Sequence, residues 1–274
     1  MTDLSSKIAL VTGASRGVGR GIAHELGIAG ATVYVTGRSV SRSATTESLG
    51  GDVNGAAALV TQAGGTGIAV RCDHTNDADV RDLFEQIARE QGRLDILVNN
   101  VWGGYERIDD VDFVAPFWEQ PLWRWDLMFK AGVRAHYTAS RLAMPLMVPQ
   151  SCGLIVNISS GDEDKYRGQV MYDIAKAAVD RMAFAMAQEL RQHGIVALAL
   201  YPGLTRTERV ERFASADELA IAESPRYAGR AVVTLATDPD VMRRSGNAYK
   251  TGELAREYGF TDIDGRQPPP FTFG

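Results

Sequence analysis

The run Thr12-Gly13-Ala14-Ser15-Arg16-Gly17-Val18-Gly19 constrains this chain more than any other stretch. It follows the apolar residues Ile8-Ala9-Leu10-Val11 and opens an amphipathic stretch from Gly21 to Gly30, so a short buried strand must turn at once into a helix. Glycine tolerates the backbone angles of such a turn and lets a ligand come close to the chain. Backbone N–H groups at the helix start, with the positive end of the helix dipole, then face a pyrophosphate. Gly13, Ser15, Arg16, Gly17, Val18 and Gly19 thereby become candidates for binding a dinucleotide cofactor. The spacing is G-x-x-x-G-x-G and not the commoner G-x-G-x-x-G, and with 28 glycines in the chain it is the strand before and the helix after that give it meaning.

The alternation continues along the chain. Ala31 to Thr36 reads as a second strand and ends at Gly37-Arg38. In dinucleotide folds the end of this strand meets the adenosine ribose, where an acidic residue selects the 2′-hydroxyl of NAD and a cation accommodates the 2′-phosphate of NADP. Gly37 and Arg38 bring no carboxylate and Arg16 can reach the same phosphate, so the expected cofactor is NADP(H). Arg42, in the Ser/Thr/Gly-rich loop 39–51, is a further phosphate candidate. Helical spacing over 52–64 leads to a third strand, Gly67 to Cys72, with Asp73 at its end as an acceptor for the adenine amino group or as a turn residue. A helix over Asp77 to Gln91 and a strand over Leu94 to Val98 then run into Asn99-Asn100. This order predicts an α/β fold, a doubly wound parallel sheet with helices on both faces, as a single domain over 1–274.

Residues 101–122 are aromatic and irregular, as expected of a loop that builds a substrate wall, and 123–147 reads as one long helix stopped by Pro149. A fifth strand, Leu154 to Ile158, carries Ser159-Ser160 to the sheet edge. Tyr172 and Lys176 lie four apart at the start of a helix reaching about His193, and so share one face. A free phenol titrates near pH 10, and a neighbouring ammonium stabilises the phenolate and lowers that value. Tyr172 is therefore the expected general acid for carbonyl reduction and base for alcohol oxidation, with Lys176 as its electrostatic partner. Ser160, with Ser159 as the alternative, is placed to hydrogen-bond the carbonyl oxygen. Beyond the sixth strand, Ile195 to Tyr201, come a mobile polar segment over 204–225, a helix from Arg226 to Ala236, a short strand near Ala248-Tyr249 and a proline-rich tail expected to fray.

Bulk properties narrow the function classes. A net charge of −5 without a basic stripe argues against nucleic-acid binding. Cys72 and Cys152 read as small buried hydrophobes in a reducing compartment, with neither a disulfide framework nor a metal site. No apolar run approaches bilayer length and no signal peptide is evident, so a cytoplasmic protein without membrane attachment is expected.

The ordered set Thr-Gly-x-x-x-Gly-x-Gly, Asn-Asn, Ser-Ser, Tyr-x-x-x-Lys and Pro-Gly resembles the short-chain dehydrogenase/reductase superfamily over essentially the whole chain. Cys72-Asp73, Arg93 to Asn100, Phe117-Trp118-Glu119, Tyr201-Pro202-Gly203 and Leu235 to Pro239 resemble more narrowly dehydrogenase/reductase family member one and its bacterial relatives. The resemblance implies a Rossmann fold, an NADP(H)-dependent oxidoreductase acting on a small-molecule carbonyl or alcohol, and a homodimer or homotetramer. It implies that Lys176 also binds the nicotinamide ribose, that Asn99 and Val101 contact the adenosine side, and that Pro202, Gly203, Thr205 and Thr207 border the nicotinamide. Tyr166 is read as pocket lining, because residue 170 is valine where a second Tyr-x-x-x-Lys would need lysine. Two departures stand out: Asn100-Val101-Trp102-Gly103 replaces the usual Asn-Ala-Gly, and Gly132 stands where many members carry a relay asparagine. They support a competing reading, a cofactor-binding regulator or scaffold with little turnover. A serine hydrolase is disfavoured, since Ser159-Ser160 lacks the G-x-S-x-G elbow.

Overall fold

Strands Ile8–Val11 (β1), Thr32–Gly37 (β2), Thr66–Arg71 (β3), Ile96–Asn99 (β4), Gly153–Ile158 (β5), Ile195–Tyr201 (β6) and Ala248–Lys250 (β7) form one parallel sheet in the order β3-β2-β1-β4-β5-β6-β7. The computed structural model describes residues 3–41 and 49–273, so Arg42 lies outside the described residues. The helices are Gly17–Ile28 (α1), Val53–Gln62 (α2), Asp77–Gln91 (α3), Leu122–Phe129 (α4), Ala135–Met147 (α5), Val170–Leu190 (α6), Glu208–Phe213 (α7), Ala216–Ile221 (α8), Pro225–Thr237 (α9) and Thr251–Tyr258 (α10).

Side-chain alternation along each strand divides the core between the two faces. Ala9, Val11, Leu154, Val156, Leu198 and Leu200 pack with α1, α2 and α9, whereas Leu10, Ile155, Ile195 and Ala197 pack with α3, α5 and the C-terminal half of α6. Helices α1 and α9 touch through small residues. A Cβ at Gly229 would lie 2.7 Å from the carbonyl oxygen of Gly21, so the closeness of that pair requires glycine.

Four expectations are corrected here. The stretch read as one helix over 123–147 is α4 and α5 joined by a π-turn at Lys130–Arg134, with Gly132 inside it. The segment over 204–225 is not an irregular loop, because it folds into α7 and α8. The C-terminal tail is tied down: Tyr227 bonds the Pro268 carbonyl at 3.3 Å, and the Phe273 N–H donates to Asp162 Oδ2 at 3.0 Å. Cys72 is buried as expected, but Cys152 is exposed, since it precedes β5 at the solvent end of the strand.

Candidate active site

The glycine turn adopts the form its spacing demands. Gly13 and Gly17 have φ of +63° and +55°, and a Cβ at Gly19 would fall 2.4 Å from Asn100 Nδ2. Asn100 locks the turn by donating from Nδ2 to the carbonyls of Thr12 at 3.0 Å and Gly13 at 2.9 Å. A cleft open to solvent runs past this turn and is lined by Gly13, Ser15, Arg16, Gly17, Val18, Arg38, Asp73, Val101 and Thr207, among others. At the start of α1 the Gly17 N–H donates to Glu208 Oε2 at 2.9 Å, and Arg20 Nη1 lies 3.5 Å from Oε1 of the same carboxylate. The cradle thus already attracts an anion, as a pyrophosphate site must. That property and the glycine-only approach mean that the residues present fit a dinucleotide.

Not every expected contact faces this cleft. Asn99 belongs to β4 and is fully buried, and its Nδ2 donates to Ser140 Oγ at 2.9 Å and Asn157 Oδ1 at 2.8 Å. Its side chain therefore ties β4 to β5 and α5 and does not line the cleft, a place taken by Asn100. Gly19 sits behind the turn. Pro202, Gly203 and Thr205 lie at the end of β6 outside the cleft lining, and Thr205 Oγ1 is engaged with the Gly203 carbonyl at 3.0 Å and Glu223 Oε1 at 3.4 Å. Asp73 lines the cleft, and its Oδ1 accepts from the Thr75 N–H at 3.0 Å, as a turn residue does.

Tyr172, Lys176 and Ser160 come together beyond β5, behind an aromatic wall. Ser160 lies within hydrogen-bonding reach of the Tyr172 phenol, whereas Ser159 points inward and donates to the Lys176 carbonyl at 3.3 Å. Of the two serines, Ser160 is the one that meets the phenol. Trp102 packs edge-on against Tyr172 with ring centres 5.5 Å apart, and Phe113 does so at 6.1 Å. Tyr105, unremarked in the sequence, brings its hydroxyl within hydrogen-bonding reach of the Tyr172 hydroxyl. The wall is held from behind: buried Arg124 donates to the carbonyls of Val111 at 2.6 Å and Asp112 at 3.2 Å, and Gln120 Nε2 donates to Ala115 at 2.9 Å. Tyr166 is exposed and, like Tyr172, Ser160 and Lys176, does not line the cleft past the glycine turn, which Trp102 and Tyr105 border.

The electrostatics differ from the expected lysine-lowered phenol. Burial raises the Tyr172 phenol above its ordinary value, against the opposing pull of Ser160 and Tyr105. Burial also brings the Lys176 ammonium down to about 8. The Lys176 Nζ lies 4.2 Å from the Trp102 ring centre and 5.7 Å from that of Tyr172, and it donates to the Ile158 carbonyl at 3.4 Å. The indole thus takes much of the ammonium's attention. It also fills the space beside Gly132, where a Cβ would meet Trp102 Cε3 and Cζ3 at 2.4 Å. His136 on α5 holds the segment after β4, pairing through Nε2 with the Val101 carbonyl at 3.0 Å, and burial keeps it neutral with a value down to about 3.

Residues 7–218 match the short chain dehydrogenase family. The chain is 42% identical over 280 residues to dehydrogenase/reductase SDR family member 1 of Mus musculus, covering 97% of this chain and 86% of that protein. A dehydrogenase structure from Xanthomonas campestris superposes with a TM-score of 0.84 at 25% identity, covering 99% of both chains. A 7α-hydroxysteroid dehydrogenase complexed with NADH and 7-oxo glycochenodeoxycholic acid does so with a TM-score of 0.73 at 25% identity, covering 97% of this chain and 96% of that one.

Proposed function

The chain belongs to the short-chain dehydrogenase/reductase family, and from that premise we propose that it is an NADP(H)-dependent oxidoreductase interconverting a carbonyl and an alcohol. The observation that carries the reading is the meeting of Tyr172 and Ser160 behind Trp102 and Tyr105, which line the same cleft as the anion-attracting glycine turn. The N–H groups at the start of α1 hold the pyrophosphate, and Arg16 and Arg38 take the 2′-phosphate. Asp73 and Val101 bound the adenosine side, while Thr207 flanks the turn. Bound nicotinamide supplies the hydride. Ser160 and Tyr172 hold the carbonyl oxygen, and Tyr172 passes it the phenolic proton. Lys176 keeps positive charge near the resulting phenolate, and Trp102, Tyr105 and Phe113 exclude water from it. That apolar wall favours an aldehyde, ketone or ketosteroid-like substrate with hydrocarbon around the reacting carbon. The steroid dehydrogenase relative is complexed with NADH, so the NADP(H) preference here rests on Arg16 and Arg38 alone.

A regulator that binds cofactor with little turnover is the competing reading, favoured by the indole that fills the space beside Gly132. A panel of aldehydes, ketones and ketosteroids with NADPH, followed at the nicotinamide absorbance, separates the two. Tyr172→Phe is expected to lower the rate by about a hundredfold or more while NADPH binding stays close to the parent's. Lys176→Ala is expected to damage both. Turnover retained by Tyr172→Phe removes the proton-donor assignment, and an inert parent across the panel favours the regulator.

A further inference from the structure

Arg38 carries the cofactor preference, yet it has a partner that no local pattern announces. Glu106, 68 residues further on, pairs through Oε1 with Arg38 Nη2, and both residues line the same cleft. The contact is built from two directions. Arg38 extends from the end of β2, while Glu106 stands in a turn closed by its own N–H donating to the Gly103 carbonyl at 3.0 Å. The next residues, Ile108–Asp110, form a 3-10 turn, and the loop behind them is pinned by Arg124. The pair is partly screened, with side-chain exposures of 34% for Arg38 and 20% for Glu106.

A carboxylate in that position acts oppositely on the two cofactors. A 2′-phosphate needs the guanidinium donors that Glu106 occupies and is repelled by its charge. A ribose 2′-hydroxyl instead gains an acceptor, as it does from the acidic residue that ends the second strand in NAD-selective folds. We infer that Glu106 is a specificity-determining residue for the cofactor, lowering the preference for NADP(H) that Arg16 and Arg38 create and supporting the ribose hydroxyl of NAD(H). The acid absent at residue 37 is thus supplied from the substrate-side loop. This inference rests on the assignment of Arg38 to the 2′-phosphate.

The test is binding, read by nicotinamide fluorescence on the full chain with NADPH and NADH, and requires no substrate. Glu106→Gln keeps the shape and removes the charge, and it is expected to raise the ratio of NADPH to NADH affinity by about fivefold, the scale of a partly exposed ion pair. Glu106→Asp, which withdraws the carboxylate by one methylene, is expected to fall between Glu106→Gln and the parent. Raised salt should narrow the difference between parent and Glu106→Gln. An unchanged ratio in Glu106→Gln overturns the inference. Arg38→Asp distinguishes its failure from that of the parent assignment: NADPH binding unaffected by Arg38→Asp overturns both, whereas a loss there with an unmoved Glu106→Gln ratio overturns only the role of Glu106.

Discussion

Gly132 shows how one missing side chain reorganises a site. With no Cβ at that position, the Trp102 ring moves into the space and lies over the Lys176 ammonium at 4.2 Å, a cation–π contact inside a buried pocket. Restoring even a methyl group there forces the indole out or strains the π-turn. Gly132→Ala is therefore expected to destabilise the fold by roughly 1–3 kcal/mol, measured by denaturant unfolding. A variant as stable as the parent would show that Trp102 moves freely and does not clamp Lys176. Gly132 is visible as a departure in the sequence, but its consequence is not legible there, because Trp102 is 30 positions away and reaches it only through the fold. Tyr105 and Glu106 are illegible in the sequence for the same reason, since nothing about an isolated tyrosine or glutamate in an irregular stretch marks it as facing Tyr172 or Arg38.

At the scale of elements, α7 and α8 follow β6 and are closed at their base by a two-residue bridge. The Glu223 N–H donates to the Leu204 carbonyl at 2.9 Å, and the Arg206 N–H returns to the Glu223 carbonyl at 2.8 Å. This bridge carries the Glu223 carboxyl into the interior, against Gly203 and Thr205, and burial raises it from an ordinary 4.5 to about 8. Between those values the folded chain keeps a proton that the unfolded chain has released, so stability falls as pH rises through that window, by roughly 3 kcal/mol at neutral pH. Glu223→Gln, which cannot ionise, is expected to match the parent near pH 4 and to have a higher Tm near pH 8. Equal pH dependence of Tm in the two proteins would mean that Glu223 is charged in place. The sequence placed this region among polar loops because its helices are short, and six-residue helices such as α7 and α8 persist only through contacts outside themselves.

At the scale of the whole molecule, α5 and α6 present apolar residues on their outer surface. On α6, Ala175 is in the core, but Ala178 and Met182 are half-buried and Ala185 is exposed. Tyr137, Ile174 and Phe184 are also exposed, at 55%, 43% and 40%. A helix apolar beyond its core-facing stripe needs a second surface. We propose that a copy of the chain supplies it, and sedimentation at micromolar concentration is expected to give a dimer or tetramer that Phe184→Glu weakens. A monomeric parent would count against this interface.

The sequence by itself determined the strand and helix alternation, the glycine turn, and the pairing of Tyr172 with Lys176 on one helical turn. All of these are encoded in contiguous residues, through a period of two, a period of 3.6, or the backbone angles that only glycine adopts freely. It also brought Ser159-Ser160 to the correct edge, because a parallel strand delivers its C-terminal residues there. Tertiary structure alone decided which serine faces the phenol, that Asn99 is a buried tie between strands, and that Lys176 turns toward Trp102. It alone decided that Glu106 meets Arg38 and that Glu208 meets the glycine turn, 191 residues from Gly17. Each of those outcomes depends on the distance between side chains from separate elements, a quantity set by packing and carried by no local pattern.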